Sequence, residues 1–466
     1  MGRRPRRAAV AAALPFWVGL VLADAPPAAA HGIGSRADLP LPRWLFVYGA
    51  GAGVVVSFAA LRLLWTRPRL ARAAEGRALP GPVSAAARLL AGGGRALGVA
   101  AWALTLAAAW FGAADSSANI APVAVYVVFW VGVALASALL GDLWRVLNPF
   151  DTLAALAGAV KARRWPGPAP EPPHHWTLYP AAAGIAAFAW LELAYHEPAS
   201  PRVLALALTL YSTLMLAGAV RRGRAWLRVG DGFAALFSLL GLLGPFFRGR
   251  SGELRVRWPL AGLAADPPRR GVAALVLVTL GSTTFDGVSR TQAWGRILGD
   301  STGWAATART TIGLALTVAA VAGAYYAACW AVAARAERAG YDAVDAAAEY
   351  AHGLVPIALA YAVAHYFSLL VFEGQRAWSL ASDPFGEGWD LFGAAGRAVE
   401  YGVIGAVGIA YVQAGAVVAG HVGGVLASHD RAVETLPARE AARTQVPMLV
   451  VMVAYTVVGL GLLLGA

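Results

Sequence analysis

The chain of 466 residues is 59% hydrophobic and only 14% charged, against about 25% charged residues in an average soluble domain, and this excludes an ordinary water-soluble fold. The formal net charge of +12 comes almost wholly from arginine, since Lys161 is the only lysine. These arginines flank long apolar runs, which favours a membrane surface and argues against a nucleic-acid partner. The single cysteine, Cys329, excludes an intramolecular disulfide.

The first 30 residues have the three parts of a secretory signal peptide. Four arginines within the first seven residues precede an apolar stretch, 8–23, and Ala28-Ala29-Ala30 forms a small-residue cleavage site. We therefore predict a signal peptide over 1–30, with cleavage that leaves His31 as the new N-terminus outside the cytoplasm. An uncleaved anchor helix with the same orientation is the alternative.

Residues 31–466 read as one polytopic, all-α membrane domain. A bilayer core of about 30 Å is crossed by roughly 20 apolar residues in a helix. Ten apolar runs approach or exceed that length: 44–65, 96–114, 121–141, 178–196, 202–220, 271–288, 306–334, 351–372, 399–427 and 446–465.

The distribution of basic residues orients these spans. If His31 lies outside, the loops on the cytoplasmic side hold 25 basic residues and the external segments hold six. This is the positive-inside pattern. We predict a multi-pass protein of the inner (plasma) membrane, in contact with the lipid bilayer, with the mature N-terminus and the C-terminus both outside.

Two stretches of the sequence resemble each other at an offset of 83 residues. Leu143-Trp-Arg-Val146 matches Trp226-Leu-Arg-Val229, and the following Phe, Leu, Leu and Gly residues also coincide. The preceding spans are displaced by about the same amount, so the units 96–160 and 178–243 form a predicted parallel repeat. Each unit ends in an interfacial or re-entrant amphipathic helix. Asn148-Pro149 and Gly230-Asp-Gly232 stand at equivalent helix breaks.

Ionisable residues within spans are expensive in lipid and are therefore candidates for function. Glu192 and His196 are four residues apart, which predicts that they share one helix face. Asp286 ends the sixth span, and His365 is predicted to lie about 10 Å inside the eighth. Seven residues belong to this predicted outer layer: His31, Glu192, His196, Glu197, Asp286, His365 and Glu373.

Carboxylate and imidazole groups of this kind suit a divalent metal. Zinc would polarise a bound water, and the free amine and imidazole of His31 would together chelate copper. Since no spacing here is a recognised metal signature, the plainer interpretation is that these residues are helix-end groups facing interfacial water.

A second polar layer lies near the cytoplasmic face and contains His352, His421, His429 and Asp430. Two facing histidines can ligate a haem, but His352 and His421 form the one available pair, and we favour a polar contact between helices for His421. The external loop 373–398 combines aromatic and acidic residues. It is either an interfacial aromatic belt or the roof of a pocket for a hydrophobic substrate.

Several segments resemble integral-membrane proteins known as fenitrothion hydrolases. They are His31-Gly with Asp38-Leu-Pro-Leu-Pro-Arg-Trp-Leu-Phe46, Trp144-Arg-Val-Leu-Asn-Pro-Phe-Asp-Thr-Leu153, Ser282-Thr-Thr-Phe-Asp-Gly287, Val355-Pro-Ile-Ala-Leu-Ala-Tyr-Ala-Val-Ala-His-Tyr-Phe-Ser-Leu-Leu370, and Gly420-His with His429-Asp-Arg-Ala432. The resemblance implies hydrolysis of an organophosphate triester with release of a nitrophenol. It carries no established catalytic residues.

Such a reaction suits a membrane site, because phosphotriesters are apolar and a metal-bound hydroxide attacks phosphorus in line. The candidate ligands are Glu192, His196, Asp286 and His365, with Glu373 as the catalytic base, and Gly287 is predicted to leave room for substrate or metal. Two other classes stay open. They are a transporter or permease, and a structural or assembly subunit of a respiratory or copper-handling complex with membrane-protein partners.

Overall fold

The computed structural model describes residues 43–162, 171–173, 175–249, 251–336, 340–436, 441 and 443–465. The predicted signal peptide and His31 lie outside these residues. The described part is mainly helical. Its helices are α1 (Arg43–Leu64), α2 (Leu70–Ala74), α3 (Gly81–Phe111), α4 (Ile120–Leu140), α5 (Trp144–Leu147), α6 (Pro149–Ala162), α7 (Tyr179–Leu193), α8 (Pro201–Arg222), α9 (Leu227–Gly230), α10 (Gly232–Gly241), α11 (Ala261–Ala265), α12 (Val272–Ser289), α13 (Gln292–Leu298), α14 (Gly303–Ala333), α15 (Ala343–Tyr350), α16 (Val355–Ser382), α17 (Ala406–Thr435) and α18 (Val446–Gly465).

Within the described residues, nine helical segments are long and apolar enough to cross a membrane. They are α1, α3, α4, α8, α12, α14, the continuous stretch α15–α16, α17 and α18. The prediction of an all-α, multi-pass membrane protein is confirmed at this level. The central helix is α12, most of whose residues are buried among its neighbours.

The remaining predicted span, 178–196, corresponds to α7, which has only 15 residues. Just before its N-terminus, the backbone N–H of Leu178 donates to the carbonyl oxygen of Arg270 at 3.0 Å. Near its other end Trp190 Nε1 donates to Thr311 Oγ1 at 2.9 Å. Because Arg270 precedes α12 and Thr311 lies near the opposite end of the bundle, α7 runs alongside α12 for most of that helix's length.

Several helices are longer than the apolar runs that predict them. Helix α3 begins at Gly81, well before the predicted start at 96, and α16 continues to Ser382, past the predicted end at 372. Alanine, leucine and arginine are good helix formers, so α3 continues through the arginine-bearing segment 81–95. Hydropathy marks the apolar part of a helix and not its ends.

A small antiparallel sheet on the arginine-rich side escaped the sequence analysis. Its strands are β1 (Arg77–Ala78), β2 (Phe246–Arg248) and β3 (Leu254–Val256), with β3 in the centre. Arg77 pairs with Val256, and Phe247 pairs with Arg255. Strands this short carry no clear alternation of apolar and polar residues, which is the signal that predicts a strand.

The two predicted helix breaks are both present and are built alike. Asn148 separates α5 from α6, and its side-chain oxygen accepts from the backbone N–H of Phe150 at 2.9 Å. Asp231 separates α9 from α10, and its carboxylate accepts from the backbone N–H of Phe233 at 3.0 Å. Both side chains are N-caps. Helix α10 packs against α4 and α7 and is largely buried, so it enters the bundle and does not lie on its surface.

The two caps meet inside the bundle. Asn148 Nδ2 donates to Asp231 Oδ2 at 2.8 Å, and these residues are 83 positions apart, the offset of the predicted repeat. Tyr211 donates its hydroxyl to Asp231 Oδ1 at 2.7 Å, and Trp144 Nε1 lies 3.4 Å from Oδ2. Asp231 is fully buried. Side-chain and backbone donors therefore surround this carboxylate, and it ties both helix breaks together.

Gly98 allows α3 to approach the first helix break. A Cβ atom at Gly98 would overlap the carbonyl oxygen of Leu147, whereas a Cβ at Gly93 would meet no atom within 4 Å. Both replacements by alanine gain about 1 kcal/mol of intrinsic helix propensity. We expect Gly98→Ala to be less stable than Gly93→Ala by about 1–3 kcal/mol because of the overlap. Unfolding of both variants in detergent tests this, and equal stabilities would contradict the close approach.

Candidate functional site

The candidate site lies at the end of α12 opposite Arg270. This helix carries a polar stretch, Thr279 to Asp286, in the middle of the bundle. Its hydroxyl groups bond to carbonyl oxygens of their own helix, as Thr283 Oγ1 does to Thr279 at 2.8 Å and Thr284 Oγ1 does to Leu280 at 2.7 Å. Such bonds satisfy hydroxyl groups inside a helix. The polar stretch is therefore compatible with burial, and Asp286 is its one charged member.

Asp286 pairs with His365 of α16. Asp286 Oδ2 lies 3.2 Å from His365 Nδ1, and the two side chains are only 8% and 5% exposed. A carboxylate accepts hydrogen bonds, so Nδ1 is the donor to Asp286, and in the neutral form of the imidazole Nε2 then carries the lone pair. In the part of the chain that the structure describes, the hydrogen bond of the His365 ring is the one at Nδ1. The arrangement is that of a histidine oriented to act as a base.

Arg290 completes this pair and was missed in the sequence analysis. Its Nη2 lies 3.1 Å and 3.2 Å from the two oxygens of Asp286, and its side chain is 58% exposed. The spacing of four residues on a helix is the signal that would have found it. The Asp286 carboxylate thus joins a buried imidazole to a guanidinium that reaches the surface.

Gly287 has a different role from the predicted one. A Cβ atom here would lie 3.4 Å from His365 Cε1 and 3.4 Å from Leu462 Cβ. The space beside Gly287 is therefore occupied by the protein, and the prediction that it leaves room for substrate is wrong. The imidazole of α16 and the side chain of Leu462 pack beside α12 at this position.

Glu192 of α7 is the next candidate near this pair. It lies close enough to Asp286 for an electrostatic repulsion between the two carboxylates. It also lies within electrostatic range of the hydroxyl groups of Tyr126 and Tyr366. Tyr126 donates its hydroxyl to the carbonyl oxygen of Pro198 at 2.8 Å. The structure therefore brings Glu192, Asp286 and His365 to the same part of the bundle.

His196 does not share a helix face with Glu192. Helix α7 ends at Leu193, and the chain turns before His196. His196 Nδ1 lies 2.9 Å from Thr307 Oγ1 of α14, and its ring lies 4.5 Å from that of Tyr195. A spacing of four residues places two side chains on one face only inside a helix. The prediction of a shared face is therefore wrong, and His196 instead forms a hydrogen bond with α14.

Glu373 is held by an ion pair of its own. It lies on α16 eight residues beyond His365, which is about 12 Å along a helix. Arg376 Nη1 lies 2.9 Å from Glu373 Oε2, and Arg376 Nη2 donates to the carbonyl oxygen of Ser117 at 2.9 Å. This pair connects α16 to the turn after α3. The geometry therefore suits His365 better than Glu373 for the role of base.

The predicted metal site finds little support in the described ranges. Among them, no three His, Cys, Asp or Glu side chains come together as metal ligands would. A catalytic zinc site needs three protein ligands, so the donors described here do not fit one. A copper site that includes His31 lies outside the described residues and stays a prediction.

The histidines of the second polar layer have separate partners. His352 Nε2 lies 2.8 Å from Asp266 Oδ2. His421 Nδ1 bonds to the carbonyl oxygen of Val417 on its own helix at 2.8 Å, so the predicted contact between helices is wrong for this nitrogen. His429 Nδ1 lies 3.2 Å from Gln445 Oε1. His352 Nδ1 and His421 Nε2 are buried and have no hydrogen-bond partner in the described part of the chain, and the haem hypothesis for this pair stays a prediction.

The acidic residues of the external loop hold that loop in shape. Asp390 accepts from the backbone N–H of Ala394 at 2.7 Å and of Ala395 at 3.0 Å, and from the hydroxyl of Ser382 at 2.7 Å. These bonds, first of all that from Ala395, lower the pKa of Asp390. Trp378 stacks on Phe392 with ring centroids 5.8 Å apart, and both rings are largely exposed. Exposed aromatic rings of this kind are typical of an interfacial belt.

Comparison with known proteins adds no relative, since no family model, no curated protein and no solved structure matches the chain. The candidate site is therefore defined by its own geometry.

Proposed function

We propose that the chain is a multi-pass protein of the inner membrane, made with a cleaved signal peptide, that hydrolyses apolar organophosphate triesters with His365 as the general base. The observation that carries this proposal is the contact of 3.2 Å between Asp286 Oδ2 and His365 Nδ1, with Nε2 free to accept a proton. A histidine oriented in this way by a carboxylate is a common means of activating a nucleophile.

In the proposed reaction, His365 Nε2 takes a proton from a water molecule. The resulting hydroxide oxygen forms a bond to phosphorus, the bond from phosphorus to the nitrophenol oxygen breaks, and nitrophenolate leaves with that electron pair. The imidazolium of His365 is stabilised by Asp286. The ion pair with Arg290 holds the Asp286 carboxylate in its orientation. The proton on His365 then returns to solvent.

The location of this pair suits an apolar substrate. An uncharged triester dissolves in the bilayer, and the Asp286–His365 pair lies among apolar helices of the bundle. In an environment with little water, the interaction between carboxylate and imidazolium is stronger than in bulk solvent.

Hydrolysis by protein reconstituted in liposomes tests the proposal. A nitrophenyl phosphotriester supplied to the liposomes should release nitrophenol, measured by absorbance. Asp286→Asn should lower kcat by about 10²–10⁴-fold because the imidazole loses its orienting carboxylate. Asp300→Asn is the matched control, since Asp300 is an exposed carboxylate in the loop between α13 and α14. Release no faster than from empty liposomes would contradict the proposal.

Transport is a second candidate function, and one observation favours it. Two interrupted helices meet inside the bundle at Asn148 and Asp231, and interrupted helices related by a repeat are typical of transporters. The equal offset of the two caps supports the proposed parallel repeat of 96–160 and 178–243. Uptake of a solute by proteoliposomes, abolished by a change at Asp231 in protein that still folds, would support this function over hydrolysis.

A further inference from the structure

Five arginines from four parts of the chain converge on one region of the arginine-rich face. Arg248 of β2 lies beside α3, because its Nη2 donates to the carbonyl oxygen of Ala87 at 3.2 Å. A Cβ at Gly94 would contact the side chain of Val146, which places α5 against the same part of α3. We call this set the inner arginine cluster, and its members are Arg88, Arg95, Arg145, Arg228 and Arg248.

The members of the inner arginine cluster repel each other. The pKa of Arg248 is lowered first by desolvation and then by the positive charges of Arg88 and Arg95. The pKa of Arg145 is lowered first by desolvation and then by the charge of Arg228. Each guanidinium remains charged at neutral pH. The arrangement therefore concentrates positive charge where part of the surrounding water has been removed.

Acidic side chains do not balance this charge within the described residues. Glu171 forms an ion pair with Arg228 Nη1, and Asp142 lies near Arg145. Glu253 is occupied by Arg255 at 3.0 Å. Around Arg145, the two carboxylates of Asp142 and Glu171 thus face three guanidinium groups within the described residues, those of Arg145, Arg228 and Arg248. In addition, the Nη2 atom of Arg228 is buried and has no hydrogen-bond partner in the described part of the chain.

We propose that the inner arginine cluster binds a phosphate group, carried by an anionic phospholipid headgroup or by free phosphate. Guanidinium groups present paired N–H donors that match the oxygens of a phosphate. A phosphate would supply the missing acceptor for Arg228 Nη2 and would reduce the repulsion between Arg145 and Arg228. The cluster lies on the side that the positive-inside pattern places in the cytoplasm, where anionic lipids are concentrated. This inference is independent of the proposed hydrolysis.

Thermal unfolding of delipidated protein in detergent tests the proposal. Three probes are compared at matched concentrations: phosphatidylglycerol, phosphatidylcholine and inorganic phosphate. We expect phosphatidylglycerol to raise the unfolding midpoint of the wild type by about 2 °C or more, and phosphatidylcholine to leave it unchanged. An equal rise of the unfolding midpoint with inorganic phosphate would show that the cluster binds free phosphate. A shift with phosphatidylglycerol alone would identify the lipid headgroup.

Two variants locate the effect. Arg145→Gln/Arg228→Gln should abolish the shift, whereas Arg335→Gln, which changes an exposed arginine outside the cluster, should retain it. If the double variant does not fold, Arg88→Gln alters an exposed side chain and should raise the phosphatidylglycerol concentration for a half-maximal shift about fivefold. No shift with any probe, a shift with phosphatidylcholine equal to that with phosphatidylglycerol, or undiminished binding in the cluster variant that folds would overturn the proposal.

Discussion

Replacing Asp231 with alanine is expected to lower the free energy of unfolding by about 3–5 kcal/mol, the cost of removing one partner from a buried charged network. The carboxylate accepts from Asn148 at 2.8 Å, from Tyr211 at 2.7 Å and from the backbone N–H groups of Phe233 and Ala234. Alanine would leave these buried donors without an acceptor, and each costs about 1–3 kcal/mol. Helix α10 would also lose its N-cap.

The structure offers a matched control for this substitution. Asp342 caps α15 in the same way, since it accepts from the backbone N–H groups of Val344 at 2.8 Å and Asp345 at 3.0 Å, but it is exposed to solvent. Asp342→Ala should cost only about 0.5–2 kcal/mol, the ordinary value of an N-cap. Equal losses for the Asp231 and Asp342 variants in detergent unfolding would contradict the buried network.

Replacing His365 with glutamine is expected to lower kcat for triester hydrolysis by about 10²–10⁴-fold, the usual contribution of a general base. The glutamine amide can still donate to Asp286, but it has no nitrogen that accepts a proton at neutral pH. The fold should therefore be retained while the chemical step is lost.

Glu373→Gln is the informative comparison for the His365 variant. Sequence analysis assigned the role of base to Glu373. In the structure, Glu373 forms an ion pair with Arg376 and lies about 12 Å along the helix from His365. We expect this variant to change kcat by less than about threefold. Loss of activity in Glu373→Gln with activity retained in His365→Gln would return the role of base to Glu373.

The helical membrane architecture could be predicted from the sequence because apolar runs and flanking arginines are local signals. Helix ends were less predictable. The segment 81–95 is helical despite its arginines, and α7 stops at Leu193, where the chain turns toward α14. That early end separates His196 from Glu192, so a prediction based on helical spacing fails there.

Contacts between distant segments could be predicted only in part. Asp286 and His365 belonged to one predicted layer, and the structure brings them within 3.2 Å. The bond between Asn148 and Asp231 could not be predicted, because an equal offset shows that two positions correspond and not that they touch. The contacts beside Gly287 could not be predicted for the same reason, since they depend on which helices pack there.

The dependence of kcat on pH, measured for triester hydrolysis by the reconstituted wild type and by His365→Gln, tests the central claim most directly. A general base works only when deprotonated, so the wild-type rate should rise with pH and reach a plateau. The residual rate of the His365→Gln variant should lack this dependence on pH. A wild-type rate that does not change with pH, or a variant that keeps the wild-type profile, would contradict the assignment of His365 as the base.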